Sequence, residues 1–256
     1  QPYGVMLIVG GDGVIVGYAG DAGDVLGERL EDVFGRSAAE VRASVPDGGI
    51  HVMADRRFRG VPWDAIAYIS DNHLVVELSE KDSNDPPLDA EFLSRLEAAG
   101  TIFERATSLA DLARQAAQLF QQLTGYSRVM IYQFVDDDAG VVLGEAITNA
   151  SPSFMNHYFP ASDIPRQARA LYVRNKVRVI ADVHYTPSPV ISASTALESI
   201  DMSDSMLRSV SPVHIQYLKN MGVAASASMS IVKDGVLWGL VTCHHHEPRN
   251  LSLTKR

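Results

Sequence analysis

The stretch Tyr158-Phe159-Pro160-Ala161-Ser162-Asp163-Ile164-Pro165, running on through Arg166-Gln167-Ala168-Arg169-Ala170-Leu171-Tyr172, decides how this chain is read. Two aromatic residues lead into a turn bounded by prolines. Pro165 stands where a first helical residue belongs, since its fixed φ suits that position and its missing N–H costs nothing there. Just ahead of the helix, Asp163 and Ile164 sit on a rigid loop, where Asp163 offers both a charged side chain and a backbone carbonyl. Ser and Asp in front of a helix are commonly caps, so a capping role stands beside any functional one.

Working outward, the helix from Pro165 to about Asn175 is followed by a strand, Val177–His184, that carries Arg178 near its start. A polar loop from Tyr185 to about Met202 comes next, then a short helix-like run, Ser203–Ser209, containing Arg208. Ser211 caps a further helix, Pro212–Met221, which holds His214 and Tyr217 and stops at Gly222. Ala225–Val232 alternates, with Ala225, Ala227, Met229 and Ile231 on one face and Ser226, Ser228 and Ser230 on the other. Lys233-Asp234-Gly235 turns the chain into Val236–His246. Two strands, Arg128–Val135 and Val141–Thr148, precede the opening stretch and flank Asp136-Asp137-Asp138, which reads as a hairpin tip more readily than as a metal site.

Before these come a helix marked by Leu88, Phe92, Leu96, Ala99 and Phe103, with Glu91 and Arg95 as an i,i+4 pair, and a second helix over about Leu109–Leu123 that ends at Gly125. Their apolar stripes serve internal packing or a dimer face. Lys81–Pro87 is polar and turn-forming and marks a domain boundary. On its N-terminal side, Gly4–Val9 and Val14–Ala19 form a hairpin over Gly10–Gly13. Asp21–Leu30 and Ser37–Val45 read as short helices, and Ile50–Met53, Ala65–Ser70 and His73–Glu80 as strands. The expected architecture is α+β: residues 1–82 as one domain and 83–256 as another, each an antiparallel sheet flanked by helices.

The chain has 256 residues, 46% hydrophobic and 21% charged, with 31 carboxylates against 22 Lys plus Arg and a net charge of −9. This balance argues against a protein built to grip nucleic acid or an anionic membrane. Cys243 is the only cysteine, so no internal disulfide can form, and a cytoplasmic location is expected. No apolar run reaches the roughly 18 residues of a membrane span. The opening at Gln1 without Met and the close at Arg256 suggest the ordered part of a larger protein.

The string FPASDIP followed by QARALY is similar to the pocket loop of phytochromes, the bilin-binding red-light sensors. The resemblance extends in register: Gln1-Pro2-Tyr3-Gly4 is similar to the opening of the phytochrome PAS domain, and the helix pair, strands, pocket helices and closing hairpin resemble a GAF domain of the phytochrome subclass. It implies a PAS domain followed by a GAF domain, with the figure-of-eight knot of that family.

Arg is the residue of choice for carboxylate recognition, and Arg178 and Arg208 beside a strand face of serines suit a ligand with two carboxylates. In the resemblance these two match the partners of the bilin propionates, assisted by Tyr172, Ser211, Ser226 and Ser228. Asp163 matches the aspartate whose carbonyl accepts from the pyrrole N–H groups, with Ile164 beside it, and His214 the histidine near the central rings. Tyr132, Phe159 and Tyr217 match the aromatic residues around ring D, His244 the histidine on that ring's carbonyl, and Met130 a neighbour. Val213 stands where plant and cyanobacterial phytochromes place their attachment cysteine, so the resemblance implies a bacteriophytochrome using biliverdin, linked through a cysteine upstream of residue 1 and not through Cys243. It further implies photoisomerisation at ring D, a homodimer, a following PHY domain, and an output module, most often a histidine kinase; the sensory fragment itself is not expected to be an enzyme. Two other functions compete with this one: a GAF domain for another small ligand such as a cyclic nucleotide, and a metal hydrolase using Asp163, His214 and His244. His244-His245-His246 resembles a metal site, but only His244 and His246 share a strand face.

Overall fold

Short runs of apolar and β-branched residues, continuous in some strands and alternating with polar residues in others, build two separate antiparallel sheets. The computed structural model describes residues 1–80, 90–135, 139–148, 152–192, 197 and 199–256, so the expected boundary at Lys81–Pro87, the side chains of the Glu91–Arg95 pair and the Asp136–Asp138 turn lie outside the described residues. Two units result: residues 1–83 with 185–209, and residues 84–184 with 210–256.

In the first unit, β1 (Gly4–Val9) and β2 (Ile15–Ala19) pair across the glycine turn. The amide of Gly10 donates to Val14 O at 2.8 Å, and Gly13 takes a φ of 83° that a side chain would disfavour. The expected helix over Asp21–Leu30 does not form. Gly20, Gly23 and Gly27 adopt φ of 88°, 67° and 83°, which no right-handed helix contains. Helix begins only at α1 (Leu30–Phe34). The next helix, α2 (Ala38–Ser44), carries the expected Ser37 cap as a full capping box with Glu40. Strands β3 (His51–Phe58), β4 (Val61–Ser70) and β5 (His73–Glu80) complete a meander, β4 and β5 turning through Asp71 and Asn72, both at positive φ. Leu7, Val9, Leu30, Phe34, Val76 and Leu78 form part of the core between sheet and helices.

The second unit starts with α3 (Ala90–Glu104) and α4 (Leu109–Thr124). Ser108 caps α4 by accepting from the Asp111 amide, and Gly125 closes it in the left-handed region at φ 68°. Strands β6 (Arg128–Phe134), β7 (Gly140–Ile147) and β8 (Tyr158–Phe159), helix α5 (Arg166–Arg174) and strand β9 (Val177–Ile180) follow. Pro165 is the N-cap of α5, one position earlier than expected. Strand β9 stops short of the expected His184: Ala181 O accepts from the Arg249 amide, off the ladder, and beyond it a single bond, from the Val183 amide to Ala224 O, reaches the residue ahead of the next pocket strand.

Residues 185–209 group with the first unit, whereas the sequence placed all of 83–256 in the second domain. Here β10 (Ile191–Ser192) adds to the edge strand β2. The helix expected at Ser203–Ser209 is absent, because the amides of Met206 and Leu207 donate to the buried Glu77 carboxylate at 2.8 and 3.2 Å. The Tyr68 hydroxyl donates to the same carboxylate at 3.0 Å. The first sheet therefore runs β10-β2-β1-β5-β4-β3.

Back in the second unit, α6 (Pro212–Asn220) has Ser211 as cap and Pro at its start. Strands β11 (Ala225–Lys233) and β12 (Val236–His245) close a sheet of order β8-β7-β6-β12-β11-β9. Ala113 and Ala117 of α4 seat that helix against Val129, Ile131, Ala225, Ala227, Val241 and Cys243. Among the described residues no helix is long and apolar enough to cross a membrane.

Candidate binding site

Because α4 covers one face of the second sheet, the period-two alternation of its strands sends a second set of side chains to the other face. Cross-strand pairing lines these up. Ser226 lies opposite His244 and Ser228 opposite Thr242; Arg178 lies opposite Ser228; Tyr132, Met130 and Arg128 lie opposite Leu240, Thr242 and His244. The sheet thus brings Met130, Tyr132, Arg178, Ser226, Ser228 and His244 together on one face, all of them buried. Cys243 faces α4 instead, fully buried. Burial pushes its thiol up to about 12, which leaves it protonated and unreactive at neutral pH.

Over this face lie the turn and the pocket helices. Met130, Tyr132, Val142 and Leu240 form an apolar cluster against which Phe134, Phe154, Phe159, Ile164 and Tyr172 pack. Tyr132 meets Phe134 edge-on at 5.3 Å and Phe159 at 6.0 Å. Its ring lies across Gly140, where a Cβ would stand 1.6 Å from the Tyr132 Cζ atom. Tyr172 belongs to this aromatic cluster, and its carbonyl accepts from the Ser230 hydroxyl at 2.6 Å. Asp163 closes a short 3-10 turn, Ala161–Asp163. Arg169 holds that turn: its Nε donates to Ile164 O at 2.9 Å while its guanidinium lies over Phe134 at 4.3 Å. The Tyr217 hydroxyl donates to the Asp163 carboxylate; burial and that anion together push the phenol well above its usual range. Burial, then Asp163, raise the Tyr132 phenol to about 12.

His214 stacks on Tyr217 with centroids 6.2 Å apart and rings 14° from parallel. Burial first, and the Arg178 guanidinium second, hold its imidazole below the ordinary value. His244 is held down to about 3 by burial, with Arg128 and His214 adding to the effect. Its Nδ1 atom is buried with no hydrogen-bond partner among the described residues. Ser211 is exposed, and its hydroxyl oxygen accepts from the Val213 amide at 3.3 Å. Arg208 stands on the segment grouped with the first unit, where its Nη1 donates to Met202 O at 3.4 Å.

The structure adds Arg128, Glu145 and Phe154 to this face, residues that no sequence motif marks. A period-two count from Tyr132 back through Met130 reaches Arg128, and this was the available signal. Among the described residues, the cluster of potential metal ligands is not one of those named from the sequence. Ligand atoms of His245, His246 and Glu247 come within 4.8 Å of one another. Yet His245 Nδ1 accepts from the Ser127 amide at 3.0 Å, so the neutral ring carries its proton on Nε2 and offers no lone pair there.

The low value of His244 sets a pH dependence. Between about 6.5, its ordinary value, and about 3, the unfolded chain binds a proton that the native chain does not. Stability therefore falls as the pH falls through that window. The expected result is a loss of melting temperature between pH 7 and pH 5 that shrinks in His244→Gln, measured by thermal melts of the ligand-free protein. Equal losses in the two proteins would place His244 outside this effect.

Known proteins resemble this chain in sequence and fold. Residues 108–255 match the family model described as "GAF domain". A bacteriophytochrome of Xanthomonas campestris pv. campestris is 38% identical over 97% of the chain, and one of Pseudomonas aeruginosa is 50% identical over 55% of it. The chain spans 41% and 20% of these two proteins. The chromophore-binding domain of wild-type Stigmatella aurantiaca phytochrome superposes with a TM-score of 0.85 at 32% identity, covering 100% of this chain and 90% of that one. That of an unusual R. palustris bacteriophytochrome gives 0.83 at 30%, covering 100% and 88%. The chain belongs to the GAF domain family and, within it, to the chromophore-binding domains of bacteriophytochromes.

Proposed function

We propose that this chain senses red light by holding a linear tetrapyrrole, biliverdin, on the face of the second sheet opposite α4. One observation carries the reading: a single buried face joins a cation and hydroxyls at Arg178, Ser226 and Ser228 to an aromatic enclosure, with the partnerless Nδ1 of His244 between the sheet strands and α6. A buried polar atom without a partner costs about 1–3 kcal/mol, and a ligand carbonyl would remove that cost. The donor set fits an elongated chromophore that has carboxylates in one region and a neutral carbonyl in another.

When bound, the bilin supplies the photochemistry, isomerisation of the double bond before ring D on absorbing red light. The chain's own residues hold and enclose it. Arg178 pairs with a propionate, with Ser226 and Ser228 as further donors; the resemblance adds Arg208 as the second propionate partner, with Tyr172 and Ser211 in supporting roles. The backbone carbonyl of Asp163 accepts from pyrrole N–H groups, with Ile164 packed beside it. His214, kept neutral by burial and Arg178, faces the central rings. Tyr132, Phe159, Tyr217 and Met130 enclose ring D, and His244 meets its carbonyl. The hydrogen bond from Tyr217 to Asp163 links that enclosure to the turn, so a movement of ring D would be felt at Asp163. From there we infer signalling to a PHY domain and an output module, a histidine kinase, in a cytoplasmic homodimer. Attachment through a cysteine upstream of residue 1 is part of the same proposal.

The test is a titration of the purified chain with biliverdin. A red or near-infrared absorption band that saturates with the ligand is expected. Free-pigment absorbance throughout the titration would overturn the reading.

A further inference from the structure

The pocket face of the second sheet carries an ion pair that the proposed ligand contacts leave unused. Arg128 on β6 lies opposite His244 on β12, and Glu145 on β7 lies opposite Met130. Arg128 Nε stands 3.5 Å from Glu145 Oε1, with the two side chains only 8% and 2% exposed. Nη2 of Arg128 donates to Pro152 O at 2.6 Å, and the guanidinium lies over the Phe154 ring, 4.2 Å from its centroid. The Glu145 carboxylate accepts from the Phe154 amide at 3.0 and 3.2 Å and from the Ser153 hydroxyl. Phe154 then meets Phe159 edge-on at 6.0 Å. Through these contacts the pair joins the sheet to the aromatic enclosure.

Two buried charges gain little stability over apolar residues of the same volume. What they supply here is position and local charge. The groups facing His244 are Arg128 from β6 and His214 from α6, with Arg178 on β9 facing His214 in turn; Glu145 on β7 acts through Arg128. A cation fixed beside the imidazole opposes a second one. With Arg128 balanced by Glu145 and His244 uncharged, this end of the face carries no net charge, whereas Arg178 makes the other end cationic. Such a polarity directs a carboxylate to Arg178 and a neutral carbonyl to His244.

We propose that Arg128, fixed by Glu145, is a positioning residue that clamps the turn from Pro152 to Phe154 under the aromatic enclosure and sets a fixed cation beside His244, so that the ligand enters in one orientation. This rests on the chromophore-binding reading above. The test follows the ring nitrogens of His244 by NMR in the ligand-free chain with labelled histidine, alongside biliverdin titrations. In the double variant Arg128→Met/Glu145→Gln the onset of His244 protonation moves up by about one pH unit or more, as expected when a neighbouring like charge is removed, and biliverdin binds at least fivefold more weakly. Arg128→Lys keeps the charge but not the planar stack: the onset stays in place while hydrogen exchange at the Phe154 amide speeds up at least tenfold. An unchanged onset in the double variant, or an equal rise in Arg128→Lys, overturns the proposal. If the wild-type chain binds no biliverdin, the chromophore reading fails, and the NMR arm still decides what Arg128 does to His244.

Discussion

Arg178→Ala weakens biliverdin binding roughly ten- to a hundredfold, the equivalent of about 1.5–3 kcal/mol for a charge-assisted hydrogen bond. The side chain starts from β9 at the edge of the second sheet, is only 8% exposed, and stands opposite Ser228. A guanidinium presents a planar fork that matches a carboxylate, and alanine removes both the charge and the fork. Arg178→Lys restores only part of the affinity, because an ammonium is a point charge. Arg208→Ala, the second propionate partner of the proposal, lowers affinity by a similar factor. The dimethyl ester of biliverdin separates carboxylate pairing from general packing. It binds the wild-type chain weakly and loses little more in Arg178→Ala, the coupling expected of two groups that meet. Wild-type affinity of Arg178→Ala for the free acid would remove Arg178 from the site.

Gly144→Ala destabilises the ligand-free protein by about 1–3 kcal/mol, the usual cost of forcing extra volume into a packed interior. Gly144 is on β7, and a Cβ there would stand 2.4 Å from both C and O of Ala113 and 2.7 Å from the Arg114 amide nitrogen. These are backbone atoms of α4, which cannot swing aside as a side chain can. The helix would have to lift, and with it the contact of Ala113 and Ala117 with Val129, Val241 and Cys243. Each kcal/mol is worth about 2–4 °C of melting temperature in a chain of this size, so the change is visible in a thermal melt. Gly11→Ala is the control, since nothing lies within 4 Å of a Cβ there. If the two variants melt together with wild type, α4 does not rest on β7 as described.

Where burial rests on a short repeat, the sequence sufficed. The Ala/Ser alternation of β11 already divided its residues between two faces, one of which packs under α4, and the same count separated Cys243 from His244. The ends of α4 were legible in Ser108 and Gly125, and the cap of α2 in Ser37, because capping is a contact among residues a few positions apart. Short helices were less legible. Asp21–Leu30 has suitable apolar residues, but the glycines at 20, 23 and 27 adopt positive φ.

Ser203–Ser209 shows the opposite case, in which local preference yields to a distant partner. Its amides are taken by Glu77, a carboxylate from β5 that only the folded chain brings near. Residues 185–209 likewise leave the second unit and add β10 to the first sheet, a pairing that no local pattern announces. Arg128 and Glu145 were hidden for a related reason. A charged residue at a strand position reads as solvent-facing until strand order is known, and the order β7-β6-β12 is what buries the pair and sets Arg128 beside His244. The sequence by itself determined which side chains share a face of each strand, because that alternation is a property of the extended backbone. Only the tertiary structure decided which strands lie side by side, and hence which charges meet, because pairing between distant segments depends on the burial and hydrogen bonding of the whole sheet.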